Sequence, residues 1–377
     1  MHVLVISEGM PLAKNPLFGI FAWDQAMALS KAGIEVDFFA VDLRSFRRIR
    51  PWGIRHGKKD GIRWHSISIP IGAIPALFLC KLGTIALRSL YRNVFKSIGK
   101  SPDIMHAHFT ESGYMASELA NEEKIPLVIT EHSSKMVQSV IPKDLRSLAE
   151  WGYQRADCVI AVSSFLQKCI YQHTGIIAEI VPNVVSAEFY CARERHGGVR
   201  FISVSHLNKG KRIDILIKAF AFLAAGYNDV ILEIVGDGDQ RTNLQRLAEK
   251  LNISTRVNFH GLLSRKEIGD LYRSCDCFVL PSAFETFGVA YIEAMAAGLP
   301  VIATRCGGPE DFVTEENGIL VDVDDEDGLM EAMLAMYSSL EKYDCNLIAT
   351  TAMERFSPFV IAERLLSIYE KVLKSRK

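Results

Sequence analysis

The sequence carries almost no net charge: 43 Lys and Arg stand against 44 Asp and Glu, leaving −1 over 377 residues. Its overall electrostatics therefore name no partner. Its eight cysteines form no CxxC pair, and Cys275 and Cys277 should point to opposite faces of a strand-like run. Scattered thiols of this kind read as reduced cysteines in a cytosolic protein. No window reaches the roughly 18 uncharged apolar residues that a membrane span needs. The chain opens directly on a strand, His2–Ser7, with no basic stretch leading into a long apolar core, so no signal peptide is expected. The expected location is the cytoplasm, with or without contact to a membrane surface and with no crossing. Internal repeats and low-complexity tracts are missing too.

What is present is a restarted alternation of short Val/Ile-rich runs with helical patterns. At 377 residues, two domains are the natural expectation. Strand candidates in the first half are 2–7, 34–41, 63–69, 103–108, 126–130, 157–162 and 178–181. Helical patterns lie between several of them, at 24–32, 112–122 and 163–173. Such alternation predicts parallel sheets covered by helices. A charged stretch ending in Gly197-Gly198 reads as a linker, after which strands follow at 199–205, 230–235, 256–260, 276–281, 300–303 and 318–321. We expect a first doubly wound domain over 1–190, a second over 191–357, and a helix over 358–377 free to pack against either.

The richest stretch runs from Asp276 to Pro300. A buried strand ends at Pro281-Ser282, a loop carries Glu285, and a helix begins near Gly288 and stops at Gly298 and Pro300. A carboxylate, a glycine and free amides thus meet where a strand hands over to a helix N-terminus, which favours anions such as phosphate. Glu293, among Ile292, Ala294 and Met295, suits a ribose diol or, equally, a helix Glu that meets solvent or a backbone N–H.

A second phosphate-directed turn spans Ser205 to Asp214, with Lys209, Lys211 and Arg212 between a strand and a helical pattern. Gly236-Asp237-Gly238 has Arg241 where a dinucleotide fingerprint needs its third glycine, so it reads as a tight turn. Asp322 and Asp324 follow a strand and read as a solvated turn, away from these motifs.

Together these residues resemble glycosyltransferase family 4, retaining enzymes of the GT-B fold with two Rossmann-like domains facing a central cleft. The family's pair of glutamates seven residues apart corresponds to Glu285 and Glu293. Gly307-Gly-Pro-Glu310, Asn317-Gly-Ile-Leu-Val321 and the interdomain-like Pro182-Asn183 also match. The resemblance implies that Glu285 holds the donor sugar's hydroxyls, Glu293 the ribose, and the amides of Phe287, Gly288 and Val289 the sugar and diphosphate. Lys211 corresponds to the family's phosphate-binding lysine. Five positions earlier, where the family has arginine, stands His206. Gly19 corresponds to the glycine loop over the diphosphate, and His132 to the histidine facing the sugar near its reacting carbon. His106 and His108 suit either the acceptor cleft or a structural role.

The implied reaction is transfer of a sugar from a UDP- or GDP-sugar to a saccharide or polyprenyl-linked acceptor, as in cell-surface polysaccharide or glycolipid assembly. Glu285, His132 and Lys211 would be the catalytic set, with no metal and no other cofactor. Rival readings are a sugar-nucleotide epimerase or phosphorylase of the same plan, a non-catalytic nucleotide-sugar binder, and an NAD dehydrogenase. Residues 40–100 hold thirteen basic residues against Asp42 and Asp60, including Arg44, Arg47, Arg48 and Arg50. Lys81, Arg88, Arg92 and Lys96 fall on one helical stripe beside apolar Ile74, Leu77, Phe78, Leu79 and Leu82. That pattern suits an anionic membrane surface or, equally, a solvated helix with an ordinary core face. Nucleic acid is not indicated, because no binding module accompanies the patch.

Overall fold

The computed structural model describes residues 1–11, 17–43, 52–71, 74–96, 99–190 and 197–376, with the Lys96 side chain outside the described atoms. Arg44, Arg47, Arg48, Arg50 and most of the linker therefore lie outside the description. The chain divides into two compact units: Met1–Val184 with Pro358–Lys377, and Val185–Ser357.

The first unit is built from β1 (His2–Ser7), α1 (Ile20–Lys31), β2 (Glu35–Asp42), β3 (Gly53–Lys59), β4 (Ile62–Ser68) and α2 (Ala76–Tyr91). There follow β5 (Ile104–His108), α3 (Thr110–Glu123), β6 (Leu127–Glu131), α4 (Lys143–Tyr153), β7 (Cys158–Ala161), α5 (Ser164–Thr174) and β8 (Glu179–Ile180). The sheet order is β3-β4-β2-β1-β5-β6-β7-β8. All neighbours are parallel except β3 and β4. The central strands are apolar on both faces because helices cover both, the usual condition of a parallel sheet. β3 reads Gly-Ile-Arg-His-Gly-Lys-Lys and is exposed along nearly its whole length. Its sequence has no apolar alternation to announce a strand, and its cations suit an edge that must not pair with another chain.

The second unit comprises β9 (Val199–Val204), α6 (Ile213–Gly226), β10 (Val230–Val235), α7 (Arg241–Lys250), β11 (Val257–Gly261) and α8 (Arg265–Arg273). Then come β12 (Cys277–Leu280), α9 (Val289–Ala296), β13 (Val301–Thr304), β14 (Gly318–Val321), α10 (Glu326–Ser339) and α11 (Cys345–Phe356). Its six strands are all parallel, in the order β11-β10-β9-β12-β13-β14. The last helix, α12 (Pro358–Ser375), belongs to the first unit. It buries Ile361, Ala362, Leu365, Ile368, Tyr369 and Val372 in one core with Trp23, Ala26 and Leu29 of α1 and with β1 and β2.

In each unit the strand order reverses beside the first strand, between β1 and β5 and between β9 and β12. Loops leaving neighbouring strands in opposite directions open a crevice at their carboxyl ends, where such sheets bind ligands. The motif residues sit at both reversals. The seven described cysteines form no disulfide with one another, and five of them are buried.

Candidate functional site

In the second unit β9 runs out into the 205–214 turn and β12 into the 281–288 loop, so Lys211 and Glu285 meet although 74 residues separate them. Lys211 Nζ donates to Glu285 Oε1 at 2.6 Å, and Ser282 Oγ donates to the same oxygen at 2.8 Å. The Ala283 amide donates to the Gly210 carbonyl at 2.8 Å, which ties the two loops together by their backbones. The Glu285 amide donates to Cys306 O, and the Gly308 amide donates back to Glu285 O, so the carboxylate stands on backbone fixed from both sides. Both side chains keep some exposure, 23% for Lys211 and 12% for Glu285, enough for a ligand to reach them.

Gly288 caps α9 with φ 95°, a left-handed conformation that opens the helix's first amides. A Cβ there would lie 2.7 Å from the Tyr291 ring. Phe287 is 2% exposed and buries its ring against Phe312 and Phe356, so only its backbone faces the site. Val289 opens the helix and is half-buried. Glu293 lies one turn further along α9, also half-buried. His206 is exposed at the end of β9, within 3.5 Å of the Asn208 amide nitrogen. Arg212 is held away by Asp324, whose Oδ1 and Oδ2 accept from it at 2.5 and 3.1 Å. The Asp322-to-Asp324 turn thus anchors an arginine and is not merely solvated. His260 is likewise committed, to Glu233 at 2.7 Å.

In the first unit Gly19 caps α1 with φ 72°, and its α-carbon packs so tightly on Gly9 that a Cβ would sit 2.1 Å from the Gly9 carbonyl. Two residues on, the Phe21 ring stacks on His132 at 5.6 Å. Gly19 and His132 are thereby brought to one place. His132 Nε2 shares a 3.0 Å hydrogen bond with His108 Nδ1, and the two rings stack. His108 stacks in turn on His106, which bonds Tyr369 at 2.6 Å and Thr130 at 2.7 Å. Burial drives all three histidines toward the neutral form: His106 and His132 fall to about 3, and His108 well below its ordinary value. Asn183 beside His132 pulls the other way without outweighing burial. A neutral His132 can donate or accept one hydrogen bond but cannot supply a positive charge. His106 is a satisfied structural residue, and His108 is the link between it and His132.

Glu131 has no role in the sequence reading, yet its buried carboxylate organises this corner. Its Oε1 accepts from the His132 and Ser133 amides at 2.8 and 2.7 Å, and its Oε2 from Thr110 and Tyr153 hydroxyls at 2.5 Å each. The available signal was a charged residue ending an apolar parallel strand. Phe109, at the end of β5, holds φ 70° and ψ 157° and packs on His132 at 5.0 Å. That backbone region is costly for any side chain and recurs where a site imposes it.

The sequence and the fold both match known proteins. A family model described as "Glycosyltransferase Family 4" matches residues 19–189, and one described as "Glycosyl transferases group 1" matches 192–345. An uncharacterised glycosyltransferase of Methanocaldococcus jannaschii is 31% identical over 293 residues, covering 71% of this chain and 75% of its own. Sucrose-phosphate synthase from Thermosynechococcus elongatus superposes with a TM-score of 0.79 at 21% identity, covering 99% of both chains. HepE of Anabaena, solved with UDP and glucose, gives 0.74 at 20% identity over 98% of this chain and 99% of that one. The fold and the two strand-reversal sites define a GT-B transferase. The chain belongs to glycosyltransferase family 4.

Proposed function

We propose that the protein transfers a sugar from a UDP- or GDP-sugar to a saccharide or lipid-linked saccharide hydroxyl with retention of anomeric configuration. The observation that carries this reading is the Lys211–Glu285 pair at the β9/β12 reversal, next to the open amides of α9. A cation, a carboxylate and a helix N-terminus in one crevice match the three parts of a nucleotide sugar's reactive end. A diphosphate can take Lys211 from Glu285, leaving the carboxylate to accept from sugar hydroxyls. UDP and glucose in the HepE structure favour a uridine donor.

In this reading the acceptor oxygen attacks the anomeric carbon on the face that the diphosphate leaves. The carbon–oxygen bond to the diphosphate breaks, its electron pair stays on the leaving oxygen, and that oxygen takes the acceptor's proton. Lys211 and the Gly288 and Val289 amides meet the developing charge, so no metal ion is called for. Glu285 positions the sugar through its hydroxyls, and the family resemblance assigns neutral His132 and Gly19 to the same donor. Glu293 would hold the ribose.

A lipid-linked acceptor at an anionic membrane surface is supported by α2. Ile74, Phe78, Leu82 and Ile85 are 37, 60, 44 and 60% exposed, with Lys81 and Arg92 exposed beside them. Arg88 departs from the expected stripe, because its guanidinium pairs with Glu122 of α3 at 2.9 Å through Nε.

Lys211→Ala and Glu285→Ala are expected to lower transfer by about 100-fold or more, as loss of leaving-group stabilisation does, while leaving the unfolding transition in place. Turnover within a few fold of wild type in both variants would sink the reading.

A further inference from the structure

The turn that carries Lys211 contains a residue whose backbone does not suit it. Lys209–Lys211 forms a single 3₁₀ turn, in which the Lys211 amide donates to Asn208 O and the Arg212 amide to Lys209 O. Arg212 then takes φ 52° and ψ 34°, and α6 starts at Ile213. That left-handed conformation is routine for glycine and costly for a residue with a Cβ. Something beyond the local backbone must hold an arginine there.

The hold comes from the guanidinium. Its Nε and Nη2 donate to the two oxygens of Asp324 at 2.5 and 3.1 Å, and its Nη1 donates to Lys209 O at 3.3 Å. The side chain thus closes a ring that spans Lys211 and ties the turn to the segment between β14 and α10. Asp324 itself stands at φ 62°, and the next residue, Asp325, caps α10 by accepting from the Gly328 amide at 2.9 Å. Lys218 of α6 and Glu326 of α10 add a second link between the same helices at 2.8 Å. On its other side the turn is fastened to the Glu285 loop, where the Ala283 amide donates to Gly210 O. Lys211 therefore lies between two anchors, one inside the site and one behind it.

The Arg212 and Asp324 side chains are 34 and 52% exposed, and exposed ion pairs add little to global stability. Their effect is local, because an ammonium that must meet a diphosphate loses much of its value when displaced by an ångström or so. Asp322 offers a comparison on the same turn. It meets Arg305 through one contact at 3.2 Å, and Arg305 has no left-handed backbone to hold.

We propose that Arg212 and Asp324 are a positioning pair for the donor: they hold the left-handed turn that aims Lys211 at the diphosphate, and neither touches substrate. The proposal rests on the transferase reading for the word donor. Its test is calorimetric titration of the full chain with UDP and with GDP. Asp324→Gly keeps the backbone conformation and removes only the carboxylate. For whichever nucleotide binds the wild type more tightly, this variant is expected to bind about three- to tenfold more weakly. Asp324→Asn, which keeps one acceptor for Nε, should recover part of the loss, and Asp322→Ala should bind like wild type. Added to Lys211→Ala, Asp324→Gly should weaken binding no further, because the pair acts only through that ammonium.

A second measurement needs no nucleotide. Hydrogen exchange at the Lys211, Arg212 and Ala283 amides, read by NMR, should be faster in Asp324→Gly than in wild type while the global unfolding transition stays in place. Unchanged exchange, unchanged affinity, losses that add in the double variant, or an equal loss in Asp322→Ala would each overturn the pair. If neither nucleotide binds the wild type, the transferase reading falls instead, and the exchange result alone decides whether the pair holds the turn.

Discussion

Two glutamates in the first unit carry opposite consequences for stability. Glu131 accepts four hydrogen bonds inside the core, two from amides and two from hydroxyls. Glutamine can reproduce this set, because Oε1 still accepts from the amides while the Thr110 and Tyr153 hydroxyls rotate to accept from the new NH₂. Alanine leaves the His132 and Ser133 amides unmet and the Thr110 and Tyr153 hydroxyls with only each other. Urea unfolding is therefore expected to place Glu131→Gln within about 1 kcal/mol of wild type and Glu131→Ala about 3–5 kcal/mol lower. Burial raises both carboxyls, and Glu8, without such a set of donors, stands at about 7 against 4.5 in the unfolded chain. The folded protein then holds this proton more tightly than the unfolded chain does. The associated stability is complete below 4.5 and is lost as pH rises through 7. Glu8→Gln should match wild type at pH 4.5 and exceed it by about 1–2 kcal/mol at pH 8, read from denaturant midpoints at both values. A gap that is larger at the acid end would contradict the argument.

At the scale of elements, helix α9 and the histidine chain make the sharpest claims. Gly288 is the N-cap of α9 in a conformation that disfavours every residue with a Cβ. Gly288→Ala should cost about 1–3 kcal/mol and remove nucleotide-sugar binding along with it, because the Cβ would push Tyr291 and the first amides out of line. Calorimetric titration of the variant with the donor checks this. The chain Tyr369–His106–His108–His132 ties α12 to the end of β6. All three imidazoles have folded-state values depressed by burial from 6.5. Their stability is present above 6.5 and is lost as pH falls toward 3, since the unfolded chain takes protons that the core refuses. Tyr369→Phe, which removes the hydroxyl from His106, should lower stability by about 1–2 kcal/mol, and by the same amount at pH 7 and pH 5, because the buried imidazole stays neutral in the folded protein at both. A loss that differs between the two values would show that His106 takes up a proton in the folded protein above pH 5.

For the whole molecule, the expectation concerns surfaces. No helix among the described residues is long and apolar enough to cross a membrane. The exposed apolar residues of α2 instead suit the boundary of a lipid layer, with Lys81 and Arg92 toward anionic headgroups. Co-sedimentation with phosphatidylglycerol vesicles at low salt should retain the wild type and release the double variant Phe78→Asp/Ile85→Asp. Salt should weaken binding, as it does wherever charge brings a protein to a surface. Retention equal to wild type in the double variant would place the contact elsewhere.

The sequence by itself determined the architecture. Apolar runs of strand length alternating with helical patterns can bury both faces only as parallel sheets between helices, and the restart after residue 198 marks a second one. It also singled out Glu285, Gly288 and Lys211, because a glycine, a cation and a carboxylate where strands hand over to helices stand out in local order. Strand β3 escaped it, since an edge strand needs no apolar face. Only the tertiary structure joined Lys211 to Glu285 and turned Arg88 toward α3. It alone placed four donors on Glu131 and gathered Glu8, Asp42, Glu111 and Lys135 around one cavity. Such pairings depend on which strand ends become neighbours in the sheet, a long-range order that spacing along the chain does not encode.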